Sequence, residues 1–558
     1  MFTRYFSLST LSLTLLASSY VMAATLPDAG QSLRELQNPL QPKNTPLTAP
    51  ALHIEGPATA SPSKSQTPIP VERFTITGNT LFPESALLPL LSDLTGAKHT
   101  LAELEASALR ISQYYHDHGY PVARAYLPAQ DIQNGMVTIA VLEGHIDQVK
   151  INNQSRISDT RANDYLGEIQ HNAVIQSVPI DRALLLLSDT PGIGEARATL
   201  QPGASVGSSD LLIDLKPSAP ISGQMALDNY GNRYTGQIRF TEALTLNSPF
   251  KLGDQLSLNI VASESQLGYG RLAWQAPIGH QGLTLGAAYA GTHYRLGQEF
   301  SNLNAFGSAT IGSLIATYPF LRTPNTNLSG TFSWEDKHLL DHIDSTIPAT
   351  RSNKNLKQFN LGLVGNHQDT LGGESITYAD ATLSHGRLSF DADSDSATLN
   401  ADAVAQTQGD YSRFSYNLNR LQRLNNRNSL TLRISGQFAD KNLSSSEKFA
   451  LGGTNGVRAF AEGEASGDEG WISSLAWNYA LCDFAQSSVF YDTGSTKINH
   501  TAFNNDENRR TLSGIGFGLN ITLPKVLLKA AIAWRTEGES KSSPDHLPRL
   551  WLQAAVPF

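Results

Sequence analysis

The chain has 558 residues, of which 40% are hydrophobic and only 16% are charged, and its formal net charge is -9 at pH 7. An acidic chain without a basic stripe is a poor ligand for polyanions, so we expect no nucleic-acid binding. The single cysteine, Cys482, excludes an internal disulfide, and no apolar run beyond the N-terminal segment is long enough for a spanning helix. Low charge with many short polar residues suits strands that meet lipid on one face and water on the other.

The first residues have the pattern of an export signal. Arg4 gives a positive start, residues 11–16 form a short apolar stretch, and small residues at 21–23 precede a cleavage site near Ala24. The alternative is a membrane anchor, but the apolar stretch is too short and too polar to span the roughly 20 residues that a bilayer requires. We therefore predict a signal peptide at residues 1–24.

A short helix is predicted directly after this signal, within residues 25–40. Gly30 and Pro39 bracket the segment, and Leu33 and Leu36 would share one helical face. Because a short helix is marginal without a partner for its apolar face, we expect this helix to dock elsewhere in the protein.

Two small α+β repeats are predicted after a proline-rich linker. Residues 41–70 carry prolines among Ser, Thr and Ala, a composition typical of an extended, semi-rigid tether. Residues 71–146 and residues 147–218 both show the order strand, helix, helix, strand, strand, which indicates an internal repeat. In the first repeat, Thr100 and Glu103 have the spacing of a capping box at a helix start.

Residues 219–558 carry strand signals, and helix signals vanish. Apolar positions alternate with Ser, Asn, Thr and Gly, as expected for an apolar face toward lipid and a polar face toward a wet lumen. At roughly 20 residues per strand and connection, the segment fits about 16 strands. The last strand alternates up to Phe558, which is typical of a closing barrel strand. A large soluble β-sandwich or propeller is the alternative, but it would need fewer uniformly apolar outward faces.

In this order of segments, the chain resembles the two-partner secretion transporters of the outer membrane, which belong to the POTRA-barrel superfamily. The motifs that carry the resemblance are Phe74-Thr-Ile-Thr-Gly-Asn79, Val141-Leu-Glu-Gly144, Leu186-Leu-Ser-Asp-Thr-Pro-Gly192, Leu227-Asp-Asn-Tyr-Gly231 and Gly452-Gly-Thr-Asn-Gly-Val-Arg-Ala-Phe460. The resemblance implies a mainly β fold, a transmembrane antiparallel β-barrel preceded by two polypeptide-transport-associated (POTRA) domains. It places the barrel in the outer membrane of a Gram-negative cell and the POTRA domains in the periplasm.

The sharpest match is a pair of short motifs in the barrel segment. The loop motif comprises Val457, Arg458, Ala459 and Phe460, and the wall motif comprises Phe490, Asp492 and Gly494. The resemblance implies that the loop folds into the lumen and that Arg458 is anchored there by Asp492, because a confined guanidinium needs a fixed carboxylate. Ala459 stands where the family has glycine, so the loop is expected to avoid a positive φ there or to be strained.

The resemblance also implies a function, the export of a partner exoprotein through the barrel without nucleotide hydrolysis. The exoprotein would be a haemolysin, an adhesin or a contact-dependent toxin, captured unfolded at POTRA sheet edges. The helix with Leu33 and Leu36 would plug the lumen at rest. Other implied partners are outer-membrane lipid, the barrel assembly machinery and periplasmic chaperones. The alternatives are an assembly factor that inserts other barrels and, with less support, a diffusive porin.

No set of residues predicts catalysis, a metal or a cofactor. Asp492-Thr-Gly494 spells an aspartic-protease triplet, but such a protease needs a second carboxylate of the same kind, and none follows the pattern. Residues 391–395 with Asp402 mimic a calcium loop, but Ser396 replaces the turn glycine, so we interpret the segment as a polar hairpin loop. We therefore expect a protein that is not an enzyme.

Overall fold

A computed structural model describes residues 26–36, 52–54, 67–167, 169, 173–346, 349–541 and 546–558. The predicted signal peptide and most of the predicted linker lie outside these ranges. No helix within the described ranges is long and apolar enough to cross a membrane.

The described residues form a strand-rich chain with a few short helices. The α-helices are α1 (Ala29–Leu36), α2 (Glu84–Leu87), α3 (Leu101–Asp117), α4 (Asp159–Asp164), α5 (Ser177–Asp189) and α6 (Ser396–Ala405). Three 3-10 helices lie at Leu88–Leu94, Gln298–Leu303 and Ser445–Glu447. The strands before the barrel are β1 (Leu52–Ile54), β2 (Ile69–Val71), β3 (Arg73–Thr77), β4 (Ala97–His99), β5 (Arg124–Tyr126), β6 (Met136–Leu142), β7 (His145–Asn153), β8 (Ile193–Pro202) and β9 (Ser208–Pro217).

The remaining strands belong to the barrel and to one loop. They are β10 (Ile221–Asp228), β11 (Arg239–Asn247), β12 (Gln255–Ser263), β13 (Gly268–Ile278), β14 (Leu283–Arg295), β15 (Ala305–Arg322), β16 (Thr326–Ile343), β17 (Thr350–Asp369), β18 (Ser375–Phe390), β19 (Gly409–Arg423), β20 (Asn428–Ala439), β21 (Phe449–Ala450), β22 (Ser466–Gly467), β23 (Glu469–Cys482), β24 (Ala485–Lys497), β25 (Arg509–Thr522), β26 (Leu527–Glu537) and β27 (Arg549–Pro557).

The two N-terminal repeats share one topology. In the first, β3 runs parallel to β6, and β5 is antiparallel to β6. In the second, β7 runs parallel to β9, and β8 is antiparallel to β9. Each repeat buries its own apolar cluster between sheet and helices. The predicted internal repeat is therefore present in the strand pairing as well as in the order of elements.

The boundaries of the first repeat differ slightly from the prediction. Ile69 and Pro70 belong to β2, which pairs with β4, so the repeat starts before residue 71. At its other end, β7 begins at His145 and already belongs to the second repeat. Both boundaries depend on which strand the boundary residues pair with, β4 for β2 and β9 for β7. The local composition does not reveal this pairing.

Glu143, from the Val141–Gly144 motif, ties the first repeat together. Its carboxylate accepts hydrogen bonds from the hydroxyl of Thr80, from the backbone N–H groups of Thr80 (2.7 Å) and Leu81 (2.8 Å), and from the hydroxyl of Tyr115 (2.9 Å). Burial favours the neutral acid, but these hydrogen bonds outweigh it, and the pKa of Glu143 lies below its ordinary value. Glu143 of the motif therefore stabilises the first repeat, because it connects α3 to the turn after β3.

Sixteen antiparallel strands close into a barrel, as predicted. The barrel runs from β10 to β27, omits only the short strands β21 and β22 of one loop, and closes where β10 pairs with β27. On β27, Leu550, Leu552 and Val556 are exposed on the outer surface, whereas Trp551 and Ala555 are buried. This alternation gives the apolar outside that a bilayer requires.

The second repeat packs directly against the short-turn end of the barrel. Arg322, at the end of β15, contacts Asp189 through two hydrogen bonds, Nε to Oδ2 at 2.6 Å and Nη2 to Oδ1 at 2.8 Å. Arg182 of α5 donates to the carbonyl oxygen of Pro319 at 3.0 Å, and the N–H of Ser158 donates to the carbonyl oxygen of Lys251 at 3.0 Å. The second repeat therefore adjoins one mouth of the barrel.

Candidate functional site

Helix α1 lies inside the barrel. Leu33 is 1% exposed, and Leu36 is also buried. Their apolar cluster consists otherwise of Ala29 and of residues from the barrel strands and their loops, Tyr234, Val261, Leu267, Tyr269, Ala290, Tyr294, Leu296, Ala305, Ala309, Ile311 and Leu339. The two leucines that the sequence assigned to one helical face are thus both in contact with the inner wall.

Polar contacts at both ends of α1 fix it to the wall and to a neighbouring loop. The N–H of Ala29 donates to Asp341 Oδ1 at 2.7 Å, and the hydroxyl of Ser445 donates to Asp28 Oδ2 at 2.6 Å. Arg34 Nη1 donates to the carbonyl oxygen of Ser445 at 2.8 Å. Arg34 Nε and Nη2 are buried and have no hydrogen-bond partner among the described residues. Because buried donors without partners are costly, these two nitrogens weaken the binding of α1 in the lumen.

Gly30 lies within α1 and does not precede it, contrary to the sequence-based expectation. A Cβ at this position would lie 2.4 Å from Ser445 Oγ and 2.7 Å from the backbone nitrogen of Ser446. The helix therefore tolerates a residue of low helix propensity because only glycine permits this close approach.

The loop that joins β20 to β23, residues 440–468, folds back into the barrel, and we call it the lumen loop. Val457 and Phe460 have 0% and 1% exposure, and Ala459 is also buried. They pack against residues of the barrel wall, Ile472, Phe490, Leu512 and Ala533. The lumen loop thus occupies the interior together with α1.

Arg458 and Asp492 meet in the lumen. Arg458 Nε lies 2.8 Å from Asp492 Oδ2, and Arg458 Nη2 lies 2.6 Å from Asp492 Oδ1. Ser474 Oγ donates to the same Oδ1 at 2.7 Å, and the guanidinium carbon lies 3.3 Å from the ring centroid of Phe490. Asp492 has 0% exposure, so the planar fork, the ring and the hydroxyl together replace its hydration. A Cβ at Gly494 would lie 2.5 Å from the carbonyl oxygen of Trp471, which explains the glycine of the wall motif.

The loop backbone accommodates Ala459 without a positive φ. Space for its methyl group comes from Gly514 of β25, where a Cβ would lie 2.4 Å from the Cβ of Ala459. Trp551 Nε1 donates to the carbonyl oxygen of Arg458 at 2.7 Å. The sequence analysis did not predict a role for Gly514, Trp551 or Ser474. Each lies on a barrel strand, where glycine, serine and aromatic residues are common, and no motif around it indicates a contact with the lumen loop.

A second charged cluster, also missed, joins the lumen loop to the barrel wall through Glu447, a residue of that loop. Glu447 has 0% exposure, and its carboxylate contacts Lys337 at 2.8 Å and Arg413 at 3.1 Å. The two cations come from strands β16 and β19, far apart in the sequence. Fully enclosed charges of this kind hold only when each has a partner, so they fix the base of the loop to two walls of the barrel.

Comparison with known families agrees with this geometry. A profile for the haemolysin secretion/activation proteins ShlB/FhaC/HecB matches residues 207–521, and a profile for the ShlB-type POTRA domain matches residues 69–144. The first match spans more than half of the chain. The chain belongs to the ShlB/FhaC/HecB family. It is therefore an outer-membrane transporter of the two-partner secretion type, with POTRA domains in the periplasm.

Individual relatives resemble this family member over nearly its full length. It is 29% identical over 534 residues to the heme/hemopexin transporter protein HuxB of Haemophilus influenzae (strain 86-028NP), with 92% of each chain covered. The outer membrane transporter CdiB of Dickeya dadantii is 22% identical over 449 residues, which cover 78% of this chain and 77% of the relative. Among solved structures, CdiB from Escherichia coli shares the fold with a TM-score of 0.69 at 18% identity, covering 95% of this chain and 96% of that chain.

Proposed function

We propose that this transporter moves an unfolded partner protein from the periplasm through the lumen of its own barrel to the cell surface, without nucleotide hydrolysis. The observation that carries the proposal is the content of the lumen. A helix and a loop fill it, and neither contributes a strand to the barrel. Both can therefore move without breaking the hydrogen bonds between barrel strands.

Helix α1, with Leu33 and Leu36 at its centre, would act as the plug. Its polar contacts leave Nε and Nη2 of Arg34 without a hydrogen-bond partner among the described residues. A helix of 8 residues is marginal without tertiary contacts, so those contacts supply most of the free energy that holds α1 in the lumen. Once they are lost, little else keeps the helix in place. The segment that follows α1 would allow the helix to leave the barrel while it stays attached to the repeats.

The lumen loop would have the opposite role, that of a fixed guide. Arg458 and Asp492 form a bidentate, enclosed pair, supported by Phe490 and Ser474. Breaking such a pair leaves an uncompensated charge, at a cost of about 3–5 kcal/mol. The loop would therefore keep its position while α1 moves, and a polypeptide would pass beside it.

The partner would be a secreted exoprotein of the haemolysin, adhesin or contact-dependent toxin class. HuxB is named for heme and hemopexin transport, and other relatives are named hemolysin transporters, so the family serves several types of cargo. Outer-membrane lipid, the barrel assembly machinery and periplasmic chaperones would be further partners during biogenesis. The sequence motifs give no reason to assign an enzymatic step to this chain.

A secretion assay tests the proposal. The chain is expressed in a Gram-negative host together with a candidate exoprotein of the haemolysin, adhesin or contact-dependent toxin class from the same genome, and the exoprotein is quantified in the medium. We expect secretion only when both proteins are present, and an unrelated exoprotein serves as the control. Accumulation in the periplasm despite a correctly inserted barrel would contradict the proposed function.

A further inference from the structure

The barrel wall that α1 covers is an apolar patch on an inner face that is otherwise polar. We call the barrel side of the apolar cluster around α1 the seat, and Ile311 of β15 and Leu339 of β16 are buried in it. On the way to Leu339, the inner face of β16 carries Asn327, Ser329 and Ser333. A wet lumen does not require an apolar patch, so the seat indicates a binding site for apolar side chains.

The seat lies toward the mouth of the barrel that faces away from the second repeat. Arg322, at the end of β15, contacts the second repeat, whereas Ala305 and Ile311 of the seat lie at the start of the same strand. Roughly 36 Å of extended strand separate Ile311 from Arg322. A polypeptide that enters beside the second repeat therefore reaches the seat only after it has passed the polar part of the wall.

The seat also provides an acceptor for a backbone N–H group. Asp341 Oδ1 accepts hydrogen bonds from the N–H of Ala29 and from the hydroxyl of Tyr294, both at 2.7 Å. The apolar contacts of α1 come from Ala29 and from the side chains of Leu33 and Leu36. Neither kind of contact requires a helix, because every residue except proline has a backbone N–H group and any unfolded polypeptide exposes apolar side chains.

An extended chain can present apolar side chains at nearly the spacing that α1 uses. Leu33 and Leu36 are three residues apart on a helix, where Cβ atoms at this spacing lie about 5–6 Å apart. On one face of an extended chain, successive side chains are two residues apart, which corresponds to about 7 Å. A segment with an apolar residue at every second position would therefore reach the same two places in the seat.

Departure of α1 would leave the seat without its cover. The side chains of Ile311 and Leu339 would then meet the water of the lumen, at a cost that grows with the apolar area exposed. Apolar side chains of an unfolded polypeptide would remove this cost, and they would lose their own contact with water in the same step. The ligand that suits the vacated seat is thus an extended, partly apolar polypeptide.

We propose that the seat is a binding site for the exported polypeptide, in which an extended segment with alternating apolar residues takes the place of α1. The inference rests on the proposed function and assigns the seat a second ligand besides the plug. Helix α1 is then a resident substitute for the exported chain. Exchange of one for the other keeps the apolar patch covered during transport, and Asp341 accepts a backbone N–H group from either ligand.

Two pairs of substitutions separate this role of the seat from its contact with the plug. Ile311→Asn with Leu339→Asn makes the seat polar. Leu33→Asn with Leu36→Asn makes the facing side of α1 polar and leaves the seat unchanged. Both pairs weaken the same apolar contact, so both should give a conducting channel in planar bilayers. Heat-modifiable migration on gels verifies that both variants form the barrel.

Secretion of the exoprotein of the secretion assay above then distinguishes the two pairs. We expect the seat pair to secrete at least tenfold less than the plug pair, because only the seat pair alters the proposed binding site. The conservative pair Ile311→Val with Leu339→Met keeps the seat apolar and should secrete at least tenfold more than the seat pair. Equal secretion by the seat pair and the plug pair would overturn the proposal.

Site-specific photocrosslinking in secreting cells tests the site without a polar substitution. A photoreactive amino acid replaces Leu339 in the seat, and the controls carry it at Leu340, on the outer face of β16, or at Asn360, on the polar inner wall of β17. We expect adducts with the exoprotein at position 339 that exceed those at both control positions by at least fivefold. Similar adducts at positions 339 and 360, or adducts with α1 alone while secretion continues, would overturn the proposal. Failure of the wild-type chain to secrete the exoprotein would instead contradict the proposed function, and the second ligand of the seat with it.

Discussion

Asp492 is a carboxylate without exposure to solvent, and one guanidinium supplies its counter-charge. Arg458 binds it through the fork of its side chain and through its own backbone N–H, at 3.1 Å from Oδ2. At this scale the site depends on geometry as well as on charge, because lysine would supply the charge but not the two parallel hydrogen bonds.

Replacing Arg458 by alanine should abolish secretion and leave the barrel assembled. Asp492 would remain enclosed without a counter-charge, at a cost of about 3–5 kcal/mol that falls on the lumen loop rather than on the strand pairing. Secretion into the medium and heat-modifiable migration on gels measure the two effects separately. Arg458→Lys should be intermediate, and Arg387→Ala, which removes an exposed ion pair with Asp410, is the matched control. Undiminished export by Arg458→Ala would remove this residue from the mechanism.

Glu143→Gln should destabilise the first repeat by about 1–3 kcal/mol at pH 7, because the amide cannot accept all the hydrogen bonds of the carboxylate. The pKa of Glu143 is lowered in the folded state, so its contribution is complete above the pKa of an unfolded glutamate, about 4.3, and is lost as the pH falls through the folded value. The difference between wild type and variant should therefore shrink toward pH 3. Hydrogen–deuterium exchange of α3 amides in the full-length protein measures it, with the exposed Asp131→Asn as control. A difference that does not depend on pH would contradict this account.

At the scale of elements, the sequence predicted what periodicity determines. The alternation of apolar residues predicted the barrel strands, the length of the segment predicted their number, and the order of elements predicted the two repeats. The helix that starts at Thr100 follows from its apolar stripe and its cap, and the capping box at Thr100 and Glu103 is present. Elements that depend on distant partners were missed. Leu52–Ile54 becomes a strand only because β8 offers an edge, and residues 396–405 form α6 within the segment interpreted as a hairpin loop.

The same reasoning applies to the site. The Arg458–Asp492 pair was accessible through the resemblance to the family, because two short motifs carry it, whereas Lys337, Arg413 and Glu447 come together only through barrel closure. These charged residues lie on three separate segments, and nothing in the sequence indicates that they come into contact. Prediction therefore reached the contacts that lie within motifs and missed those that the tertiary structure creates.

Deleting residues 25–40 should convert a closed barrel into a conducting one. The deletion removes α1, whose leucines and first turn occupy the lumen, while the strand pairing stays intact. Planar-bilayer recordings of the purified protein measure the change as a steady open-channel current. A variant in which the same residues are replaced by a Gly/Ser segment of equal length should behave like the deletion, because it keeps the tether but not the helix. An unchanged closed pore would refute the plug role.

At the scale of the whole molecule, the second repeat and the barrel are joined by few but specific contacts. Arg322 and Asp189 form the bidentate contact between them, and Asp189 is 52% exposed at its side chain. An ion pair of this exposure contributes about 0.2–1 kcal/mol, so the junction is firm enough to align the repeat and weak enough to move.

Arg322→Ala should broaden the range of distances between the second repeat and the barrel. Spin labels at positions 148 and 525, in a Cys482→Ser background, report these distances by electron–electron double resonance in nanodiscs. The effect should be larger at low salt, where screening of the wild-type ion pair is weakest. The swapped double variant Asp189→Arg with Arg322→Asp should restore the narrow distribution. A broad distribution in the swapped variant would show that the ion pair does not hold the junction.

A contact of the lumen loop with Trp551 depends on the assembly of the last barrel strand. This indole belongs to β27, the last barrel strand in chain order, and it binds the carbonyl oxygen of Arg458. The bond cannot form until β27 has taken its register against β10 and β26. This one contact of the lumen loop is therefore completed only after the ring of strands has closed at β27, whereas the pairing of Arg458 with Asp492 requires no residue of that strand.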